Sequence, residues 1–500
     1  MLATQLIKVL GDYQLFGQPL DELANIDTLI NDSRQAQTNS CFIAIKGENF
    51  DGHQAIEAVV AQGTQLLIVE KWEDAWLKLE ASFILVPSTY RAQAILANQF
   101  YGEPTTKMNV VAVTGTNGKT TTSSIISDLL NVLGHKTGLI GTIHYKVDQT
   151  YYPAVNTTPN ALRLQELFSE MVEVGVKDAI IEASSHALAL GRLWYTDVDC
   201  AIFTNITREH LDFHKTMEAY TYAKSLLFAQ LGQKFNDGKP RLAILNADDD
   251  HSPIMAQATG ANIVTYSLSD SKATAYMTEF HSGVGTIDFK FVYHQTEYAV
   301  QLPMLGEYNI SNYLAAFLCL VTFYQFEPEA VVNATTSFKG VSGRMQAINR
   351  GQNFTAIVDF AHTPDAIEHV LKELTRKKKQ RLIVLFGHSG GNRDSQARPE
   401  IGDILFEYAD YIVFTADNPR FEPVAKICRE LIQNHTEKPY TIIEDRKEAI
   451  QHAVQEAKVD DIILFAGKGG ESYQVIGNEN VPYNEAETVT ATIDDLLNKD

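Results

Sequence analysis

Cysteine is scarce in this sequence: Cys41, Cys200, Cys319 and Cys428 are the only four in 500 residues, each set among apolar neighbours, with no CxxC pair and no His-Cys cluster. That excludes a disulfide scaffold and a thiolate metal centre, and it predicts buried, reduced thiols. Long hydrophobic runs are missing as well. No stretch approaches the roughly 18 apolar residues of a membrane span, and the N-terminus has no basic start followed by an apolar core, so a cytoplasmic protein without membrane insertion is expected. Positive charge is in deficit, 41 Lys+Arg against 62 Asp+Glu for a net charge of −21. Such a surface repels phosphate backbones, which makes nucleic acid an unsuitable partner. An anionic small molecule still fits wherever a few arginines and helix N-termini gather in one cleft. Only 15 prolines occur, with no low-complexity tract and no short-period repeat, so disordered, fibrous and solenoid classes fall away.

What remains is a globular composition, 45% apolar and 21% charged, long enough for about three domains. The first, residues 1–108, alternates short apolar runs (Ser40–Ile45, Gln65–Val69, Ser82–Val86) with helical patterns, and Tyr101-Gly102-Glu103-Pro104 punctuates its end. The second, 109–337, opens with the strand-like VVAVTG and has further strand candidates at Asp178–Glu182, Cys200–Asn205 and Leu242–Asn246. A polar, β-rich patch at 262–303 reads as an antiparallel insertion ahead of a helix over Ser311–Tyr324. The third, 338–500, repeats the rhythm with runs at Thr355–Phe360, Leu382–Phe386, Tyr411–Thr415 and Ile462–Ala466. The expected fold class is α/β in three domains: a smaller N-terminal α/β domain, a central P-loop ATPase-like parallel sheet and a C-terminal doubly wound α/β domain.

Chemistry concentrates where the first strand of the second domain meets its helix, in Thr114-Gly115-Thr116-Asn117-Gly118-Lys119-Thr120-Thr121. The glycines let backbone N–H groups approach phosphate oxygens, Lys119 brings a cation and the Thr120 hydroxyl can hold Mg²⁺. Val113 stands where the usual pattern has its first glycine, so the loop is a variant, and an ordinary glycine-rich turn is the bland alternative. Later strand ends offer metal donors in Glu182 and His210, each of which alone reads as a cap or a structural residue. Lys224, as an ammonium, binds no metal.

The series GTNGKTT, EASSH, TNITREHLDFH, NADDD, GEYNISN and DFAHTPD resembles the ATP-dependent Mur ligases, which build the peptide of bacterial cell-wall precursors. NDSR, TADNPR and AGKGGESYQ resemble the branch that adds the third residue. The resemblance implies an amide ligase that joins a diamino acid, meso-diaminopimelate first, to the D-glutamate γ-carboxylate of UDP-N-acetylmuramoyl-L-alanyl-D-glutamate through an acyl phosphate. ATP and Mg²⁺ are the implied cofactors, and the implied partners are the UDP-muramoyl-dipeptide, the diamino acid and ATP, on a monomer. By resemblance the ATP site comprises Gly115, Thr116, Asn117, Gly118, Lys119, Thr120, Thr121, Asn309, Arg344, Asp359 and His362. Metal and catalysis fall to Thr120, Glu182, His210 and Lys224, the last as a carbon dioxide-derived carbamate that turns a cation into an anionic ligand. Ser33, Asn156, Thr157, Thr158, Ser184 and Arg192 match the UDP-substrate positions, although NTTPN is also a good turn and helix start.

Arg393, Asp417, Asn418, Pro419, Arg420, Gly467 and Glu471 match the amino-acid site, with Arg420 facing the second carboxylate of diaminopimelate. Asp417–Arg420 can also be read as an Asx-Pro turn closed by a surface arginine. Four departures touch this site: FGHSGGNRD is one residue longer than usual, DNPRFEP one shorter, Gly470 replaces a histidine, and Leu190 stands where some members have glutamine. An L-lysine-specific ligase, a folate-polyglutamylating ligase and a non-catalytic nucleotide switch are the alternatives.

Overall fold

The computed structural model describes residues 1–20, 25–47, 50–231, 241–283, 285–391, 395–433 and 435–498. Its chain divides into two compact units, one of residues 1–112, 135–201 and 223–239, the other of 113–134, 202–222 and 240–500.

In the first unit five short strands form a sheet in the order Gln14–Gly17, Ser82–Leu85, Leu66–Val69, Ser40–Ile43, Thr28–Ile30, antiparallel only at the first pairing. The inner strands are almost wholly buried because both faces are covered, whereas the edge strand Gln14–Gly17 is exposed. Cys41, Ile43, Leu66 and Ile68 pack with the helix Thr89–Phe100, while Phe42, Leu67, Val69 and Phe83 pack with Ile56, Val59 and Trp76. The same unit holds Thr137–Ile140, parallel to Asp178–Glu182, and the hairpin His144–Val147 with Thr150–Pro153.

The second unit's part of the main sheet runs in the order Thr296–Leu302, Ile287–Tyr293, Ala275–Ser282, Asn262–Ser267, Leu242–Asn246. The patch expected as an antiparallel insertion differs in detail: Asn262–Ser267 lies parallel to Leu242–Asn246, and only Ala275–Ser282, Ile287–Tyr293 and Thr296–Leu302 run antiparallel. The patch extends the main sheet, so the central sheet is mixed and not wholly parallel. Turn residues connect those last strands too closely for a crossover, which forces the antiparallel pairing. The expected helix at Ser311 starts at Tyr308 and passes into a π-helical turn, Cys319–Phe323.

The second unit also contains a six-stranded sheet in the order Gln346–Ile348, Thr355–Asp359, Ile462–Ala466, Leu382–Phe386, Tyr411–Phe414, Tyr440–Ile442, parallel except at the first strand. Alternation along each strand explains its double winding. Leu382, Val384 and Phe386 face Ile367, Leu371, Ile401 and Leu405, whereas Ile383 and Leu385 face Ala449, Ile450, Val489 and Ile493. All four cysteines are buried and outside any disulfide, as expected. No helix among the described residues is long and apolar enough to cross a membrane.

One buried ion pair fastens this second sheet. The guanidinium of Arg446 makes a fork with Glu485, both at most 2% exposed, and also donates to the carbonyls of Ala416 and Ala466 at 2.9 Å each. Replacing Glu485 with alanine leaves that buried guanidinium without its anion. We predict a loss of about 3–5 kcal/mol, read as a lower midpoint of the C-terminal unfolding transition.

Candidate active site

The phosphate loop lies between the strand Asn109–Thr114 and the helix Lys119–Val132. Gly115 and Gly118 have φ of 151° and 86°, which favour glycine. Close packing adds a second reason: a Cβ on Gly115 would meet Thr204 Oγ1 at 1.8 Å, and one on Gly118 would meet Asn312 Oδ1 at 2.3 Å. Lys119 folds back over the loop, its Nζ donating to the carbonyls of Gly115 at 2.8 Å and Thr116 at 2.7 Å. An ammonium is thereby suspended over the row of backbone N–H groups.

The loop is braced from several sides. Asn117 N–H donates to Asn205 Oδ1, Asn117 O accepts from Thr204 Oγ1, and Thr116 Oγ1 shares a 2.9 Å hydrogen bond with the Tyr220 hydroxyl. Arg344 Nη2 donates to Thr120 Oγ1 at 3.0 Å while its guanidinium lies over the Phe360 ring at 4.4 Å. Asp359, 6% exposed, ends its strand and accepts from the backbone N–H groups of Met345 and Ala361. Burial pushes its carboxyl up despite the opposing pull of Arg344. Asn309 is buried, bonded to Leu305 O and to Asn312, and His362 Nδ1 is paired with Phe360 O. Thr121 is buried in the first turn of the helix.

Asp365 is a residue that sequence reasoning missed. Its Oδ2 accepts from Asn117 Nδ2 at 3.1 Å and from Thr207 Oγ1 at 3.2 Å. Burial alone would raise this carboxyl, but His369 one turn along the helix offsets it and holds it below the usual range. His369 is in turn pushed up to about 9, chiefly by its hydrogen bond with Asp365. The sequence signal existed, since Asp365 closes DFAHTPD, but only Asp359 and His362 were singled out there.

In the first unit Glu182, 1% exposed, ends its strand with Oε1 accepting from Thr142 N–H and Oε2 from the Thr142 hydroxyl. Gly141 leaves room for it, because a Cβ there would meet Oε1 at 2.1 Å. Around this carboxylate the expected substrate residues form one network. Thr158 Oγ1 donates to Glu182 O and to Ser184 Oγ, Arg192 donates to Thr158 O, Thr157 shares a bond with Thr142, and Asn156 O accepts from the Tyr145 hydroxyl. Thr142, two residues past the strand Thr137–Ile140, and Tyr145, within the strand His144–Val147, were overlooked. Ser33 opens a short 3-10 turn capped by Asp32, whose carboxylate also chelates Arg34. Lys224, 1% exposed, lies on the helix Met217–Gln230, and His210, at φ 56°, caps the helix Leu211–His214. Among the described residues no three His, Cys, Asp or Glu side chains form a ready metal cage. Magnesium seldom needs one, since it takes one or two carboxylates together with phosphates and waters.

At the strand ends of the six-stranded sheet Lys468, fully buried, donates to Asn418 Oδ1 at 2.9 Å and Glu471 Oε2 at 2.5 Å and lies 3.5 Å from Asp417. Burial would raise the Asp417 carboxyl, but Lys468 and Arg446 hold it below the usual range. Gly467, at φ 99°, passes so near Gly387 that a Cβ would meet its carbonyl at 2.8 Å. Pro419 and Arg420 continue the loop, with Arg420 N–H donating to Val475 O. Arg393 lies outside the described residues. Lys468, within GKGGE, is the member of this group that sequence reasoning left out.

A glycine loop closing a strand–helix turn, a lysine over it, and polar side chains at the carboxyl ends of parallel strands define an α/β enzyme that uses a nucleoside triphosphate. The chain belongs to the Mur ligase family and is an ATP-dependent ligase: the Mur ligase middle domain matches residues 113–320 and the Mur ligase glutamate ligase domain residues 343–469. It is 40% identical over 496 residues to the UDP-N-acetylmuramoyl-L-alanyl-D-glutamate–2,6-diaminopimelate ligase of Bacillus cereus, covering 99% of both chains. The enzyme of that name from Geobacillus kaustophilus is 41% identical, with 94% and 95% covered. A solved structure of an enzyme so named superposes with a TM-score of 0.65 at 31% identity, over 94% of this chain and 95% of that one.

Asp365→Ala removes the acceptor shared by Asn117 and Thr207. We predict that the KM for ATP rises about tenfold while that for the amino acid stays within a factor of about two, measured by phosphate release.

Proposed function

We propose that this enzyme joins meso-diaminopimelate to the γ-carboxylate of D-glutamate in UDP-N-acetylmuramoyl-L-alanyl-D-glutamate. The observation that carries the reading is the state of Arg420. A non-glycine residue at φ 54° is strained, and this one sits at a strand end beside Asp417, Asn418 and Glu471, where ligands of doubly wound sheets bind. A guanidinium placed there suits the second carboxylate of diaminopimelate, which lysine lacks. Gly467, Glu471 and Arg393 would complete the grip on the amino acid.

In this reading residues 1–108 hold the uridine nucleotide through Ser33, 109–337 hold ATP, and 338–500 bring the amino acid. A γ-carboxylate oxygen attacks the γ-phosphorus, ADP leaves, and the amine nitrogen then attacks the acyl carbon. A tetrahedral intermediate collapses with loss of phosphate and of one proton from nitrogen. The chain's own part is positioning and charge neutralisation. Lys119 and Arg344 neutralise the phosphates, Asn309 and Asp359 contact adenine and ribose, and His362 lies in the same nucleotide region. Thr157, Thr158, Ser184, Asn156 and Arg192 orient the muramoyl-dipeptide beside Glu182.

Magnesium, when bound, supplies further neutralisation of the phosphates, and Thr120, Glu182, His210 and Lys224 would hold it. The donors fit: Glu182 has both oxygens oriented by Thr142 with lone pairs to spare, and Lys224 is a buried lysine of the kind that carbon dioxide can convert. Addition of carbon dioxide to the neutral amine forms one N–C bond and releases one proton. A cytoplasmic, monomeric protein accompanies this assignment.

The test is phosphate release from ATP and Mg²⁺ with the UDP-muramoyl-dipeptide, offering meso-diaminopimelate, L-lysine and L-ornithine in parallel. Release with diaminopimelate alone is expected, and a preference for either of the others would discard the specificity assignment. Lys224→Ala should lose most activity and regain part of it with a short added carboxylate; full activity without rescue would remove the carbamate. Arg420→Ala should raise the KM for diaminopimelate by about 30-fold or more and leave that for ATP unchanged, as loss of a paired guanidinium implies.

A further inference from the structure

Two loops meet at Arg420 in the second unit, residues 387–391 and residues 417–423, the latter containing Arg420 itself. They pack directly on each other. Gly390 N–H donates to Asn418 O at 2.9 Å, Ser389 Oγ donates to Asp417 Oδ2 at 2.7 Å, and Gly391 N–H donates to Glu422 Oε2 at 3.1 Å. Neither glycine tolerates a side chain: a Cβ on Gly390 would meet Pro419 O at 2.2 Å, and one on Gly391 would meet Arg420 Cδ at 2.8 Å.

A single side chain joins them. Arg398, on the helix Arg398–Tyr408, has a fully buried guanidinium. Nη1 donates to Glu422 Oε1 at 3.0 Å and Glu430 Oε2 at 2.5 Å, and Nη2 donates to Glu422 Oε2 at 2.9 Å and to the carbonyl of Ser389 at 3.0 Å. One planar fork therefore binds the carboxylate two residues beyond Arg420 and the main chain of the facing loop at once. Glu422 is held down to about 2 by its hydrogen bonds with Arg398, so it stays ionised at any working pH. Burying an arginine is costly unless it is fully paired, and a pair that served stability alone could be replaced by apolar side chains.

We propose that Arg398 and Glu422 are positioning residues for amino-acid selection: they lock the two loops into one wall and thereby fix where the Arg420 guanidinium points. This rests on the reading of Arg420 as the residue that meets the distal carboxylate. Neither Arg398 nor Glu422 touches the amino acid. Their effect is on the discrimination between an amino acid with a second carboxylate and one without it.

The test uses the full-length enzyme in four forms: Glu422→Gln, which keeps the shape and loses the charge, Arg398→Lys, which keeps the charge and loses the fork, Gly391→Ala, which pushes on Arg420 Cδ and leaves both side chains of the buried pair in place, and Arg420→Ala. The first three should raise the KM for meso-diaminopimelate about tenfold or more, with the KM for ATP and the kcat at saturating amino acid within about twofold, and should shrink the preference over L-lysine by a similar factor. Gly391 has a φ of 75°, so Gly391→Ala also lowers the melting temperature somewhat; a loss of selectivity read well below each variant's melting midpoint, with the KM for ATP unchanged, separates positioning from folding. Unchanged selectivity in Gly391→Ala and Glu422→Gln, alongside a large effect of Arg420→Ala, would overturn the positioning role and leave the Arg420 reading intact. An Arg420→Ala enzyme with unaltered selectivity would overturn both. Parallel losses in both KM values and in melting temperature across the first three would reduce the pair to a structural one.

Discussion

The approach of a backbone loop to phosphate is the constraint on which the active site depends. Gly115 and Gly118 are needed for their φ values and also because Thr204 and Asn312 stand where a Cβ would be. Thr204 Oγ1 donates to Asn117 O and ties the loop to the segment after Phe203, while Asn312 Oδ1, on the helix Tyr308–Leu318, accepts from Thr122 Oγ1 just past the loop. Arg344 and Asp365 reach the same loop from further along the chain. A chain with net charge −21 thereby concentrates cations and N–H groups where a triphosphate must sit.

The six-stranded sheet solves a different problem with the same geometry. Its parallel strands Thr355–Asp359, Ile462–Ala466, Leu382–Phe386 and Tyr411–Phe414 end on one side, where Asp359 closes its strand, Gly467 and Gly387 follow theirs directly and Asp417 lies three residues past Phe414. Arg446 binds the carbonyl of Ala466, at one strand end, and that of Ala416, two residues past another, and Arg398 braces the loops beyond two of them. Both arginines are buried charges with every available partner on a loop, a strand end or a neighbouring helix. They place the site's side chains from behind without touching ligand.

How much of this was legible in the sequence follows from how local each signal is. Strands buried on both faces are continuous apolar runs, so Asp178–Glu182, Leu242–Asn246, Leu382–Phe386 and Ile462–Ala466 could be bounded correctly. The phosphate loop was legible because eight consecutive residues carry it. Exposed edge strands such as Gln14–Gly17 and Tyr440–Ile442 lack that pattern and went unread. So did Asp365 with Asn117, 248 residues apart, and Arg398 with Glu422, 24 apart, since nothing local marks a long-range pair. Family resemblance located the ends of the strands but gave no reason to look behind them.

The central claim is that the substrate carboxylate is activated by phosphorylation before the amine arrives, and isotope transfer tests it most directly. The γ-carboxylate of the UDP-muramoyl-dipeptide would be enriched in heavy oxygen and turned over with ATP, Mg²⁺ and meso-diaminopimelate, and the released phosphate weighed by mass spectrometry. One labelled oxygen per phosphate is the predicted result, because the carboxylate oxygen that attacks phosphorus must leave with it. Unlabelled phosphate accompanying labelled amide product would mean that ATP cleavage and amide formation are separate events, and the account would fail.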